Sequence, residues 1–448
     1  MATGEISVFA FEGRTMFTHA VKPAPKMSST LAINAKVSEL QADGHNVLQL
    51  GFGEARFPVH PKILAALKEH ATERSYLSVS GLPELRKKVA EYYRRRFQIN
   101  ADPARVIVGS GSKSLLFAAL YALEGDVILP VPSWVSYETQ ARLVGKAIHE
   151  IPTRREDNYY LSPAQLRAGL KAARQERQSP AVLVLNSPHN PTGVMYPPKL
   201  LAELAEVARE EDLVVLSDEI YALTAYGTVP HVSIARYYPE GTVVTGGLSK
   251  HLSLGGWRLG VAILPEGELG AQLQRSMASI ASSIWTTPAA PVQYAAVTAY
   301  SDDPDIDRYV HTCACIHGLV TGYLYSVLQS LDVPCAKPSG GFYLYPSFAP
   351  WREALARRHN VHTSQQLAEF LLDEEHIAIL PGSDFGDDPA ELTLRMSTSY
   401  LYALNDEEGE KVLATYARNL QPFDFLKQAC PRVLEMGERL KVFVQSLV

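Results

Sequence analysis

Lys250 and Arg258 stand in one glycine-rich stretch, Gly246-Gly247-Leu248-Ser249-Lys250-His251-Leu252-Ser253-Leu254-Gly255-Gly256-Trp257-Arg258-Leu259-Gly260, between the apolar runs 242–245 and 260–264. Backbone that turns tightly at the end of a buried strand brings a charged side chain to a site. The alternative for Lys250 is an ordinary solvated lysine. Asp218 ends another apolar run, Leu213-Val214-Val215-Leu216, with Tyr221 three residues on. A carboxylate there needs a partner, supplied either by the protein or by a ligand's protonated ring nitrogen. Gly109-Ser110-Gly111-Ser112-Lys113-Ser114 opens a helical pattern and offers small hydroxyls and free N–H groups to a phosphate. It has neither Walker A spacing nor the third glycine of a dinucleotide fingerprint. Arg258 either adds a forked cation to the same phosphate or forms an interface ion pair. Trp134 either stacks on a planar ring or covers the core. Asn190-Pro191-Thr192-Gly193 reads first as a turn.

The elements that carry these residues alternate. Short apolar strands are expected at 106–108, 127–129, 147–148, 182–185, 213–216, 243–244 and 261–263, with amphipathic helices at 112–123, 134–144, 163–176 and 197–211. Continuous apolar strands separated by helices predict an α/β fold, a largely parallel sheet covered by helices on both faces. Sites in such sheets form at the carboxyl ends of strands, and five of the suspect loops converge there. Further helices are expected at 267–299 with a break at Pro288, from 305 to 331, and at 364–374, 406–418 and 431–446. Strands are expected near 47–50, 377–380 and 392–396. The division that follows is an N-terminal arm and segment packing with the small domain (1–70), a large domain (71–330) and a second, smaller α+β domain (331–448). Residues 1–10 read as an arm and 11–27 as irregular, with Ser28-Ser29-Thr30 capping the first helix.

Composition sets the outer limits. Among 448 residues, 46% hydrophobic and 20% charged describe a soluble globular protein. A net charge of −6 argues against nucleic acid as a partner. Cys313, Cys315, Cys335 and Cys430 lack zinc spacing and read as reduced thiols, so no metal site is expected. No run approaches the ~18 apolar residues of a membrane span, and Met1 to Ala10 lacks the form of a secretory signal. The expectation is a cytoplasmic protein without a membrane partner.

A phosphate cup, a planar stacker, an acid for a ring nitrogen, polar groups and one lysine are the parts needed to hold pyridoxal 5′-phosphate as a Schiff base. Here the chain resembles the class I, aspartate-aminotransferase-like aminotransferases of pyridoxal-phosphate fold type I, from about Lys22 to Leu420. The resemblance is carried by Ser249-Lys250 with Gly256-Trp257-Arg258-Leu259-Gly260, by Ser187-Pro188-His189-Asn190-Pro191-Thr192-Gly193 and by Ser217-Asp218-Glu219-Ile220-Tyr221. Gly81-Leu82-Pro83-Glu84-Leu85-Arg86, the Pro381-Gly382-Ser383 stretch with Phe385-Gly386, and Leu394-Arg395-Met396-Ser397 also match.

By that resemblance Lys250 is the Schiff-base lysine and the proton-transfer group, and Asp218 pairs with the ring nitrogen. Asn190 and Tyr221 bond the phenolic oxygen, and Trp134 stacks on the ring. Ser112 and Lys113 (through backbone groups), Ser249 and Arg258 hold the phosphate. Tyr76 matches a tyrosine that reaches the neighbouring subunit's phosphate, implying a homodimer with shared sites. Arg395 matches the residue gripping the substrate's α-carboxylate, with Gly53 as a backbone donor. The implied reaction is ping-pong transfer of an α-amino group between an L-amino acid and a 2-oxo acid. A carbon–sulfur or cyclopropane-forming lyase on the same scaffold is the alternative. A ligand-sensing regulator is more remote, since residues 1–45 carry no basic helix-turn-helix pattern.

Two departures bear on the pocket: Gly53-Glu54-Ala55-Arg56-Phe57 stands where the family has Gly-Glu-Pro-Asp-Phe, and Trp285 interrupts a polar loop. Arg56 either binds a substrate carboxylate or pairs with Glu54, the latter preferred. Trp285 bears on either the pocket or the dimer contact. The last 25 or so residues lie beyond the match.

Overall fold

The apolar runs become strands because each is buried on both faces. The computed structural model describes residues 29–448 apart from 177 and 228. The expectations for the N-terminal arm, the irregular segment 11–27 and the capping Ser28 lie outside the described residues.

In chain order the strands are β1 (Leu48–Gln49), β2 (Val106–Ser110), β3 (Asp126–Val131), β4 (Ile148–Pro152), β5 (Pro180–Asn186), β6 (Val214–Asp218), β7 (Thr242–Gly247) and β8 (Leu259–Ile263). They are followed by β9 (Tyr343–Leu344), β10 (Ile377–Ala378), β11 (Leu380–Pro381) and β12 (Leu394–Ser397). Strands β2 to β8 form one sheet in the order β2-β8-β7-β6-β5-β3-β4. Only β8 runs against its neighbours β2 and β7. The other pairings are parallel, so β2, β3, β5, β6 and β7 all end on the same edge.

Val215, Leu216, Val243, Val244, Val261 and Ala262 are fully buried, each large side chain contributing about 1.5–3 kcal/mol. Strand β4 starts one residue later than expected and runs to Pro152. It is the sheet's outer strand, and His149 and Glu150 keep contact with solvent where no second strand covers them.

Helices cover both faces. Ser112–Ala122 and Gly267–Ile284 pack on one core cluster with Ile107, Val182 and Leu216. Pro163–Gln175 and Pro198–Glu210 pack on another with Ile128, Leu183 and Val215. The helix at 163 starts with a reciprocal cap: Ser162 Oγ accepts from Gln165 N while the Gln165 side chain accepts from Ser162 N.

The helix Pro304–Ser330 joins two regions. Ile306 and Val310 pack beside Val106, Val244 and Val261, whereas Ile316, Val320 and Leu324 pack with Leu344, Leu394 and Phe443. The second region holds the antiparallel sheet β11-β12-β9 and the pair β1–β10, in which Leu48 lies opposite Ile377. It also takes in residues 48–57, because Leu48, Leu50 and Phe57 are buried in its core. Three further helices, Arg352–His359, Ser399–Tyr402 and Pro422–Ala429, were not anticipated. The C-terminal helix Pro431–Leu447 buries Val433, Met436, Leu440 and Phe443 in the same core. No described helix is long and apolar enough to cross a membrane.

Candidate active site

The strand ends β2, β3, β5, β6 and β7 face residues 52–54, Tyr343 and Arg395 across a cavity of about 510 Å³. Gly53, Ser112, Lys113, Trp134, Asn190, Asp218, Tyr221, Ser249, Lys250, Arg258 and Arg395 all line it. Tyr76 does not, and is 90% exposed. Trp285 and Arg56 also stay out of the wall: Trp285 packs on the sheet's helical layer, and Arg56 pairs with Glu54 at 3.4 Å.

Lys250 Nζ donates to the Gly53 carbonyl at 2.6 Å and lies 5.6 Å from the Tyr221 ring centroid. Burial, followed by the nearby Arg395 charge, pulls its pKa down to about 8. More of the amine is then neutral at pH 7 than for an ordinary lysine, and the neutral form attacks a carbonyl.

Asp218 sits at the end of β6 with 2% exposure. Tyr137 Oη donates to its Oδ2 at 2.8 Å, and Ile220 N and Thr245 Oγ1 donate to Oδ1 at 3.3 Å each. Burial raises its pKa to about 6 against the opposing pull of these hydrogen bonds. Asn186 Nδ2 donates to the Asp218 carbonyl, and its Oδ1 accepts from Asn190 N, both at 2.8 Å, which ties the β5 and β6 loops together. The turn Asn190-Pro191-Thr192-Gly193 thus also presents a cavity side chain.

Tyr221 and Tyr343 share a hydroxyl hydrogen bond of 2.8 Å. Burial holds the Tyr221 pKa well above its usual range, with the neighbouring Tyr343 adding to it. A Cβ at Gly53 would come within 2.2 Å of Tyr343 Oη, so only glycine fits there.

Arg395, on β12, is 3% exposed. Its Nη2 donates to the Gly51 carbonyl, its Nη1 donates to Asn190 Oδ1 at 3.5 Å, and Nε has no partner among the described residues. The rings of Tyr343 and Phe385 lie 5.0 and 5.2 Å from its guanidinium carbon. No described carboxylate is within ion-pair distance of this buried cation or of Lys113. The Lys113 ammonium lies 4.9 Å from the Trp134 ring centroid, and burial followed by Arg258 lowers its pKa. Trp134 packs against the sheet core and also lines the cavity.

The helix Ser112–Ala122 starts after Gly111 with no side chain capping its first turn, so its leading N–H groups remain open to a ligand. Arg258, at φ 54°, donates from Nη1 to the Gly255 carbonyl at 2.8 Å and from Nη2 to that of Ser110 at 3.4 Å. A Cβ on Gly111 would come within 2.2 Å of its Nη2. Glycine there lets the guanidinium lie against the helix start. An uncapped helix N-terminus, two serines and a forked cation fit a phosphate. The neighbouring aromatic, buried acid and amine fit a pyridine aldehyde.

Sequence reading missed Tyr137, Thr245 and Tyr343 as members of this wall or its support, whereas it placed Glu54 beside the pocket through the segment 53–57. Tyr137 had a signal, since it follows Trp134 by three residues and the two rings meet edge to face at 5.2 Å. Tyr343 arrives from a distant segment and carries no local pattern.

A family described as aminotransferase class I and II matches residues 45–408. Among similar proteins, an aspartate aminotransferase of Bacillus subtilis is 36% identical over 380 residues, covering 83% of this chain and 92% of its own. An aspartate/prephenate aminotransferase of Thermus thermophilus is 33% identical, covering 89% and 97%. A solved aspartate aminotransferase from Thermus thermophilus with maleate superposes with a TM-score of 0.75 at 31% identity, covering 92% of this chain and all of that one.

Proposed function

The chain belongs to the class I and II aminotransferases and is a fold-type I, pyridoxal 5′-phosphate-dependent transaminase; on that premise we propose ping-pong exchange of the α-amino group between an L-dicarboxylic amino acid and a 2-oxo acid. One observation carries the choice of substrate. Two cations without carboxylate partners among the described residues, Arg395 and Lys113, line the same cavity as the Lys250 amine. A substrate anionic at both ends satisfies both. The aspartate aminotransferases among the relatives, one of them solved with maleate, support the same reading.

When bound, pyridoxal 5′-phosphate supplies an aldehyde carbon that condenses with amines and a ring that withdraws electron density from them. The Ser112 and Lys113 backbone groups, the Ser249 hydroxyl and Arg258 hold its phosphate. Trp134 would cover a ring face, Asp218 would meet the ring nitrogen, and Asn190 and Tyr221 would meet the phenolic oxygen. Tyr137 keeps Asp218 aimed and ionised by donating to it. Arg395 grips the substrate's α-carboxylate and Lys113 takes the distal one. Lys250, released from the Gly53 carbonyl, moves the proton at the substrate's α-carbon; its lowered pKa lets it serve as base and then acid. The exposed Tyr76 serves a partner's site in a homodimer.

Steady-state kinetics test this. Aspartate or glutamate should exceed asparagine, glutamine and alanine by about a hundredfold in kcat/KM. Lys250→Ala should lower turnover by about a thousandfold or more and abolish borohydride-fixed attachment of the cofactor to the chain. A preference for neutral substrates would overturn the substrate class, and persistent attachment in the variant would overturn the lysine.

A further inference from the structure

The family pattern Gly-Glu-Pro-Asp-Phe also carries the glutamate that stands here as Glu54, but two residues on this chain has Arg56 in place of aspartate. Glu54 is part of the wall. Its Oε1 lies 3.5 Å from where a Cβ on Gly255 would sit, and Gly255 itself lines the cavity. Its Oε2 is turned away: it accepts from Tyr400 Oη at 2.8 Å and from Arg56 Nη1 at 3.4 Å.

Arg56 is fixed on several sides. Its Nη2 donates to the Leu404 carbonyl, its backbone N donates to Tyr402 Oη at 3.1 Å, and its guanidinium lies 5.1 Å from the Tyr400 ring centroid. Leu404 is fixed in turn. Its N donates to Glu408 Oε2 at 2.8 Å, and both Glu408 oxygens accept from Arg432. Arg432 belongs to the C-terminal helix, beyond residue 408 where the family match ends. So Arg56 is held against Glu54 from outside the cavity and does not line it.

We infer that Arg56 is a positioning residue for specificity: it screens and orients the Glu54 carboxylate so that the mouth admits a substrate carrying a second negative charge. Without Arg56, a bare carboxylate would stand in the wall and repel that charge. The inference rests on the transaminase reading for its kinetic form. The geometry it uses, a paired acid in the same wall as two cations without a salt bridge among the described residues, stands independently of turnover.

The test compares near-isosteric pairs, aspartate against asparagine for kinetics. For binding to the holoenzyme it compares a four-carbon dicarboxylate with its monoamide. In Arg56→Gln the acidic-to-amide ratio should fall about 10- to 30-fold, the size expected for one unscreened charge at surface-like dielectric. The loss should lie in KM and in dicarboxylate binding rather than in kcat. Arg56→Lys should keep the ratio within about threefold, and Glu54→Gln combined with Arg56→Gln should restore it. An unchanged ratio in Arg56→Gln, or no restoration in the double variant, overturns the inference. The binding ratios decide this even if the wild type fails to transaminate aspartate, an outcome that would sink only the proposed substrate.

Discussion

At the scale of single residues, the site depends on groups whose charge is set by burial. Asp218 is the clearest case: burial raises its pKa to about 6 while three donors favour the ionised form. Tyr137→Phe removes the shortest of these, the 2.8 Å bond to Oδ2. A hydrogen bond to a charged group is worth ~1.5–3 kcal/mol, or about one to two pH units of pKa. Losing a donor to the anion raises the pKa. The acid limb of the kcat/KM profile should therefore move to higher pH by about one unit or more, with activity on the plateau less affected. A profile that drops uniformly without moving would mean that Tyr137 only packs. Asp218 was legible because an acid at the end of an apolar strand demands a partner. Its actual protein partners were not, since Thr245 is brought alongside only by the pairing of β6 with β7.

Among the elements, the close approach of β8 to the helix start at Ser112 controls the phosphate end of the cavity. A Cβ on Gly260 would lie 2.3 Å from both Gly111 C and Ser112 N, backbone atoms that have nowhere to go. Gly260→Ala should push the helix start away and weaken cofactor binding at least about tenfold, the effect of ~1–3 kcal/mol of overpacking. Gly256→Ala, which meets nothing within 4 Å, should bind normally. Fluorescence titration of the cofactor-free protein with pyridoxal 5′-phosphate measures both, and equal affinities would refute the steric account. The sheet was readable because its strands are apolar on both faces and carry their site residues at their ends. The helix Arg352–His359 was not, because it buries only Leu355 and so leaves no apolar stripe. Ser399–Tyr402 is four residues long, too short for any periodicity.

For the whole molecule, a single chain leaves Tyr76 outside its own cavity and 90% exposed. If its hydroxyl completes the site of a second copy, Tyr76→Phe and Lys250→Ala place their defects in different halves of a mixed dimer. One site of each hybrid is then intact. Co-refolding the two weak variants should recover about a quarter of wild-type activity, the fraction of native sites in a random mixture of dimers. Recovery no greater than the sum of the separate variants would confine each site to one chain. Such a role would not be readable from the packing of one chain, since its ligand would belong to another copy.

The path of the chain through the site also sets an order. The cavity loops proposed to hold the cofactor, from Ser112 to Arg258, are encoded in one continuous stretch with all seven strands of their sheet. Gly53 and Arg395 come from segments joined through β1, β10 and β12, with Ser397 N donating to the Leu50 carbonyl at 2.8 Å. A chain leaving the ribosome from its N-terminus exposes residues 48–50 long before their partners exist, while neighbouring strands of the large sheet follow one another closely. The cofactor's side of the cavity is therefore supplied first. Arg395, the residue proposed to grip the substrate, arrives only after the whole of that sheet.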